Sequence, residues 1–197
     1  MEISAKQVKE LRELTNAGMM DCKKALTECG GDVEKAVEHL RKKGIASAVK
    51  KEGRTTSQGL VEAYVHPGQQ VGVIVEIDCE TDFVARTDEF KTMAHNIAMH
   101  IAATAPLAVS RSELDPALVE KETEIYRAQV REMGKPANIV DKIVAGKLDK
   151  FYSDVCLLEQ KYVKDPDLTI EDYLKSVIGR LGENMLIRRF ARFQIAH

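Results

Sequence analysis

The sequence has no tryptophan, and aromatic residues make up only 5% of its 197 residues. Proteins that bind single-stranded nucleic acids commonly stack the bases on aromatic side chains, and such platforms would be hard to build here. The 29 Lys and Arg residues are balanced by 31 Asp and Glu residues, which gives a formal charge of −2 and no general attraction to phosphate backbones. We therefore expect no direct contact with nucleic acid.

Long apolar runs are also lacking. A helix that spans a bilayer needs at least about 18 consecutive apolar residues. The longest apolar stretch, residues 97–109, is interrupted by His100, Thr104 and Pro106. The sequence therefore predicts no association with a membrane.

The four cysteines form no C-x-x-C pair and no dense framework of the kind that disulfide-rich domains show. We interpret them as reduced thiols that pack as small buried hydrophobic groups, which favours a cytoplasmic protein. The alternative for one of them is an intersubunit disulfide. The cysteines are Cys22, Cys29, Cys79 and Cys156.

Sequence signatures of common catalytic sites are missing. There is no G-x-x-x-x-G-K-[ST] or G-x-G-x-x-G loop to hold a nucleotide, no G-x-S-x-G turn and no H-E-x-x-H helix. The five histidines are scattered along the chain, which favours ordinary surface or core positions. We therefore predict no catalytic residue, no bound metal and no cofactor.

Residues 1–44 carry the pattern of three short helices. Ser4 followed by Gln7 has the form of a capping box, and Asp32 is placed to cap the third helix, which is expected to end before Gly44. We predict a small domain over residues 1–44, with a core thin enough to need support from a partner or a neighbouring domain. The apolar positions recur at helical spacing: Val8, Leu11, Leu14, Met19, Cys22, Ala25, Leu26, Val33, Ala36, Val37 and Leu40.

Beyond a predicted linker at 45–55, the spacing of apolar residues changes from that of helices to that of strands. We assign residues 56–197 to an α+β core domain. Two β-rich runs, residues 60–66 and 71–79, are joined by a Pro-Gly-Gln-Gln turn and predict a hairpin. A helix over residues 88–103 is expected to cover one face of the sheet.

Two further features complete the predicted core domain. Pro116 and Pro136 each open a helix, which gives an antiparallel helical pair with the first helix ending at Gly134. The terminal residues 184–195 alternate like a third strand, and the odd-numbered residues Met185, Ile187, Ala191, Phe193 and Ile195 share one parity and so one face. The fold class is thus α+β, with an N-terminal three-helix domain, a linker, and a three-stranded antiparallel sheet packed with helices.

The second run of the hairpin has apolar residues at successive positions. Val73, Ile74 and Val75 break the alternation that a half-exposed strand shows. We therefore expect this strand to be central in the sheet and covered on both faces.

An acidic cluster occupies residues 78–89, between the central strand and the long helix. One interpretation is a Mg²⁺-dependent phosphotransfer enzyme, since hard cations take oxygen ligands. A second is helix capping by Thr81 and Asp82. A third is a docking probe, because Phe83 stands beside an acid at a corner that solvent should reach. The four acids that the enzyme interpretation would use are Asp78, Glu80, Asp82 and Asp88.

The sequence resembles the bacterial elongation factor Ts family, and the resemblance covers essentially the whole chain. The N-terminal region carries VKELRELTNAGMMDCKKAL at 8–26, GDVEKAV at 31–37 and LRKKG at 40–44. The core carries CETDFVA at 79–85, KLDKFY at 147–152, CLLEQ at 156–160 and GENMLIRRF at 182–190.

The resemblance implies a guanine-nucleotide exchange factor that binds the GDP form of the GTPase elongation factor Tu, without chemistry of its own. In the family a Thr-Asp-Phe-Val motif enters the GTPase and dislodges its Mg²⁺; the matching residues are Thr81, Asp82, Phe83 and Val84. The N-terminal domain, of ubiquitin-associated type, grips the GTPase separately. The contact candidates there are Arg12, Met19, Met20 and Lys23, although Met19 and Met20 could equally belong to the small core.

The length departs from that of the longer members of the family. Those members carry a duplicated core subdomain and a coiled-coil insertion, and 197 residues have room for one core only. The resemblance to the short form implies a homodimer, held through the core sheet or the C-terminal strand. A second functional class remains open, namely a protein-binding module without exchange activity.

Overall fold

A computed structural model describes residues 3–15, 17–133 and 136–195. By internal contacts the chain divides into two compact units. The first comprises residues 1–61, 77–94 and 172–186, and the second comprises residues 62–76, 95–171 and 187–197. The elements in chain order are α1 (Ala5–Thr15), α2 (Met19–Glu28), α3 (Val33–Val49), β1 (Gln58–Val65), β2 (Val71–Cys79), α4 (Asp82–Ala85), α5 (Asp88–Thr104), α6 (Pro116–Glu132), α7 (Ala137–Val155), β3 (Lys161–Tyr162), β4 (Asp165–Thr169), α8 (Ile170–Leu181) and β5 (Met185–Gln194).

The mixed helix and sheet composition confirms the predicted α+β class. Three strands form one sheet in the order β1-β2-β5, so the hairpin, the central position of β2 and the C-terminal third strand are all confirmed. Strands β3 and β4 form a small antiparallel pair that the sequence analysis did not predict. In the part of the chain that the structure describes, no helix combines the length and the apolar character that crossing a bilayer requires.

The N-terminal helices begin as their sequence predicts. The backbone N–H of Ser4 donates to Gln7 Oε1 at 3.0 Å, and that of Gln7 donates to Ser4 Oγ at 3.2 Å, which is the reciprocal bonding of a capping box. Asp32 accepts from the backbone N–H of Lys35 at 3.1 Å and caps α3. Leu11 and Leu26 are fully buried in the small core. Leu14 was predicted to share the apolar stripe of α1, but it is 65% exposed.

Helix α3 does not end before Gly44, and the residues of the expected linker are helical as far as Val49. The reason lies in the packing of α3 against α8. A methyl group placed on Gly179 would come within 2.7 Å of the Gly44 Cα atom, so the two backbones cross in near contact. Gly44 thus serves as a contact point inside the helix. The division into domains at 1–44, 45–55 and 56–197 stays a prediction.

One face of β2 is buried and the other is partly open. Val73, Val75 and Ile77 are at most 2% exposed, whereas Ile74 is 49% exposed. The expectation that both faces are covered is therefore wrong for the single chain. The three successive apolar residues in the sequence reflect one exposed isoleucine, Ile74, on an outer face that also carries Glu76.

The C-terminal strand does not keep one parity along its length. Arg188 and Arg189 are both exposed, so the alternation of buried and exposed positions is shifted there, as it is at a β-bulge. Ile187 lies on the buried side before the shift, and Phe193 is 68% exposed after it. The prediction that the odd-numbered positions share one face is therefore wrong.

Helices α6 and α7 form the predicted helical pair, with α6 ending at Glu132. The predicted helix end at Gly134 lies outside the described residues. Asp115 caps α6 by accepting from the backbone N–H of Ala117 at 2.9 Å, and Pro116 occupies the first turn. Arg111, which precedes α6, contacts the C-terminal end of α7 and the residues after it. Its guanidinium donates to Glu159 at 2.6 and 2.7 Å and lies 4.3 Å from the centre of the Tyr152 ring.

Helix α5 carries a fully buried histidine in the second unit. Its Nε2 atom lies 3.0 Å from Gln160 Oε1, and its Nδ1 atom accepts from the backbone N–H of Val163 at 3.3 Å. These two partners require the neutral imidazole, and burial lowers the pKa of His100. Thr104 Oγ1 and the backbone carbonyl of Asp154 complete the bonds of the Gln160 amide. One of the scattered histidines is thus a core residue, as expected.

Candidate functional site

The corner after β2 projects one large apolar side chain into solvent. Phe83 is 78% exposed, while Ala85, two residues further along the short helix α4, is 8% exposed. Thr81 precedes α4 in an extended conformation, and its Oγ1 accepts from the backbone N–H of Val84 at 3.5 Å. The capping interpretation of Thr81 is therefore confirmed, although the bond is long. An exposed aromatic residue on an ordered corner is a typical anchor for a protein partner.

The corner is held at its base by a residue from a distant part of the chain. Glu183, between α8 and β5, accepts from the backbone N–H of Thr81 at 3.0 Å and from its hydroxyl group at 2.6 Å. In return, Glu80 accepts from the backbone N–H of Asn184 at 2.6 Å. Glu183 could not be identified as a site residue from the sequence, since 102 positions separate it from Thr81. Its only signal there was its place in the GENMLIRRF motif.

The thiol of Cys79 supports the same corner from inside. Its Sγ atom lies 3.1 Å from the carbonyl oxygen of Thr81, and the side chain is fully buried. Burial, and after it the negative charge of Glu183, raises the pKa of Cys79 to about 11. The group therefore stays a protonated thiol and a hydrogen-bond donor at neutral pH, as expected of a buried structural cysteine.

Asp82 is less exposed than Phe83 and has a local partner. Its carboxylate accepts from Arg86 at 2.8 Å, one helical turn away, in a pair whose arginine side chain is 76% exposed. Such exposed pairs contribute little, so a partner that attracts the carboxylate could break this one at low cost. The arrangement presents a negative charge next to the exposed Phe83 ring.

The acidic residues near the corner do not converge on one point. Glu80 Oε1 accepts from the backbone N–H of Asn184 and lies 3.5 Å from Arg54 Nη1, and the Asp82 carboxylate pairs with Arg86. Within the described ranges 3–15, 17–133 and 136–195, no three His, Cys, Asp or Glu side chains are arranged so that they could hold a metal ion. The Mg²⁺-site interpretation of Asp78, Glu80, Asp82 and Asp88 therefore has no geometric support.

The four candidate contact residues of the N-terminal helices all lie at the surface. Met19 is 58% exposed and Met20 is 75% exposed, so neither belongs to the small core. Arg12 and Lys23 are exposed as well. Leu14, near them in the sequence, is 65% exposed as well. The helices thus present two methionines and a leucine together with two cationic side chains.

Comparison with known proteins gives one consistent family. Residues 2–179 match the family model described as elongation factor TS. The elongation factor Ts of Geotalea daltonii is 57% identical over 195 residues, which cover 99% of this chain and 90% of that protein. The elongation factor Ts of Desulfosudis oleivorans is 58% identical over 193 residues, or 98% of each chain. The chain therefore belongs to the elongation factor Ts family.

Proposed function

We propose that this chain promotes the release of GDP from elongation factor Tu during translation elongation in the cytoplasm, and that it does so by displacing Mg²⁺. Family membership implies a nucleotide exchange factor for elongation factor Tu. The observation that carries the finer proposal is the corner at Thr81–Val84, where an exposed Phe83 and an adjacent carboxylate stand on a fixed base. A carboxylate that approaches a Mg²⁺ site competes with the ligands of the ion, and the phenyl ring excludes water beside it. No covalent bond is made or broken, so the chain acts as a binding protein.

The energy for release has to come from more than one side chain. A nucleotide bound at nanomolar affinity is held by about 12 kcal/mol. Burial of one phenylalanine supplies only about 1.5–3 kcal/mol. Displacement therefore has to draw on the binding free energy of a broad interface. The coupling is reciprocal: this protein lowers the affinity for nucleotide by the same ratio by which nucleotide lowers the affinity for this protein.

The N-terminal helices supply a second part of that interface in our proposal. Met19 and Met20 are exposed although they are large and apolar, and unbranched methionines adapt well to a partner surface. Arg12 and Lys23 add positive charge for contacts with acidic groups. We expect Met20→Ala to raise the concentration of factor that gives half-maximal release while the maximal rate stays unchanged, because docking and displacement use different residues.

A second copy of the chain is the proposed partner of the open sheet face. Arg192 donates to the carbonyl of Ala102 in α5, so Arg192 faces the helix. Arg189 donates to Glu76 at 2.6 Å, and both residues belong to the opposite face. By the alternation of side chains along each strand, the exposed Ile74 and Phe193 lie on this face too. Exposed apolar side chains beside a charged pair on one face of a sheet favour a symmetric pairing of two identical faces. The homodimer would cover Ile74 and Phe193.

The test follows release of fluorescent GDP from elongation factor Tu in a stopped-flow instrument. The wild-type chain is expected to raise the release rate, whereas a binding module without exchange activity would bind and leave the rate unchanged. The double variant D82A/F83A is expected to slow release and to keep much of the docking. Equal release rates for wild type and double variant would contradict displacement by this corner.

A further inference from the structure

We propose that Glu183 is a positioning residue for nucleotide exchange, which fixes the Thr81 corner and so the direction in which Phe83 leaves the surface. The inference rests on the proposed function. Glu183 itself lies behind the corner and is half-buried. Its role is therefore to act through Thr81 and not through direct contact with elongation factor Tu.

Both oxygens of Glu183 bind the same residue. Oε2 accepts from the backbone N–H of Thr81 at 3.0 Å, and Oε1 accepts from its hydroxyl group at 2.6 Å. Hydrogen bonds to a carboxylate are roughly twice as strong as those between neutral groups, and two of them fix orientation as well as distance. Backbone and side chain of Thr81 are thereby held together.

The orientation of Thr81 is passed on to α4. A hydroxyl group can donate one hydrogen bond while it accepts another. The Thr81 hydroxyl donates to Glu183 and its oxygen accepts from the backbone N–H of Val84. Because α4 has only four residues, it has too few internal bonds to hold its own direction. The direction of Phe83 therefore depends on Thr81, and through it on Glu183.

The position of Glu183 is fixed independently of Thr81. Helix α8 ends at Leu181, and the next residue is Gly182, whose N–H donates to the carbonyl of Ile178 at 2.9 Å and whose φ of +84° is in the left-handed region that favours glycine. The next residue but one, Asn184, donates its backbone N–H to Glu80 and its side-chain amide to the carbonyl of Arg54 at 2.9 Å. Bonds on both sides of Glu183 thus hold its backbone in place.

A loosened corner should affect displacement more than docking. Catalysis of release depends on where the Phe83 ring arrives in the partner, and displacements of about 1 Å can cost two orders of magnitude in rate. Docking through the exposed residues of α1 and α2 does not depend on Glu183. The maximal rate of release at saturating factor and the half-saturating concentration therefore separate the two contributions.

The experiment measures release of fluorescent GDP from elongation factor Tu over a concentration series of the full-length chain. We expect Glu183→Ala to lower the maximal rate about tenfold or more, because strong hydrogen bonds are lost, and to change the half-saturating concentration less than about threefold. Glu183→Gln should restore the rate to within about threefold of wild type, since an amide can still accept from the Thr81 N–H and donate to its hydroxyl oxygen.

A matched control removes a glutamate of similar bonding from the second unit. Glu159 accepts two hydrogen bonds from Arg111, and Glu159→Ala should leave the maximal rate unchanged even where it lowers stability. Should Glu183→Ala fold too poorly to assay, Thr81→Val removes the hydroxyl group, and with it the bond to Glu183 and the bond from the Val84 N–H, and should lower the maximal rate, while Thr81→Ser keeps both bonds.

Three results would overturn the positioning role. The first is a maximal rate for Glu183→Ala, or for Thr81→Val, within about twofold of wild type, a change smaller than that expected for the loss of one ordinary hydrogen bond. The second is a Glu183→Gln variant as slow as Glu183→Ala, because the conservative change should rescue a positioning function. The third is a wild-type chain that fails to accelerate release, which would refute the proposed function itself and is distinguished by the wild-type trace alone.

Discussion

The most direct prediction concerns the exposed ring of Phe83. Truncation to alanine should leave the stability of the free chain nearly unchanged, because 78% of the residue is exposed and little packing is lost. If the exposed part of the ring becomes buried only in the state that displaces Mg²⁺, truncation removes about 1.2–2.3 kcal/mol of stabilisation from that state. This is the exposed share of the free energy of burying a whole phenylalanine side chain. That loss corresponds to a decrease of about 8- to 50-fold in the maximal rate of GDP release.

The assay compares Phe83→Ala with Leu107→Ala in stopped-flow release of fluorescent GDP. Leu107 is 60% exposed and lies outside the proposed contact surfaces, so its truncation controls for the loss of any exposed apolar side chain. Urea denaturation of both variants checks that neither is destabilised. A maximal rate for Phe83→Ala equal to that of Leu107→Ala would refute the reasoning, as would a decrease that is fully explained by weaker docking.

Three further predictions concern stability and assembly. His100 is buried in its neutral form with a lowered pKa, so unfolding takes up a proton as the pH falls below the ordinary value of 6.5 and stability is lost. Between pH 6.5 and 5.5 urea denaturation should show a loss of stability of up to about 1 kcal/mol that is absent in His100→Gln, and an equal pH dependence of the two proteins would contradict it. Gly179→Ala should destabilise the chain by about 1–3 kcal/mol, because the added methyl group clashes with the Gly44 backbone. The control Gly146→Ala, in open space on α7, should be neutral or stabilising. Similar urea midpoints for the two variants would contradict the close crossing of α3 and α8. Phe193→Glu should convert a dimer to a folded monomer in sedimentation, and a wild-type chain that is already monomeric and active at micromolar concentration would dismiss the dimer.

Local chemistry allowed much of the fold to be predicted. The Ser4–Gln7 capping box, the Asp32 cap and the Pro116 start depend on residues within a few positions of each other, and all three are present in the structure. The hairpin and the third strand were likewise visible from periodicity. The predictions that were wrong depended on contacts between distant segments: Gly44 was interpreted as a helix end because its neighbour Gly179 cannot be seen in the local pattern.

The candidate site was predictable in part for the same reason. Phe83 could be identified because an apolar residue in an acidic corner is unusual in any local window. Glu183 could not, since nothing within its own segment shows that its carboxylate reaches Thr81. The burial of Met19 and Met20 was also open from the sequence, because methionine suits both cores and contact surfaces.

The close crossing of α3 and α8 at Gly44 and Gly179 has a consequence for how the factor engages its target. Residues 1–61, 77–94 and 172–186 form one compact unit, so the methionines of α2 and the Phe83 ring are carried by the same body. A tethered module would have to search for its second contact after making its first. If the methionines and the Phe83 ring both contact the partner as proposed, the first contact restricts the second to a small volume, which corresponds to a high effective concentration. Two contacts that are individually weak can then give one high overall affinity for the partner. Lengthening the chain between the two contact surfaces would lower that overall affinity without altering the contacts themselves.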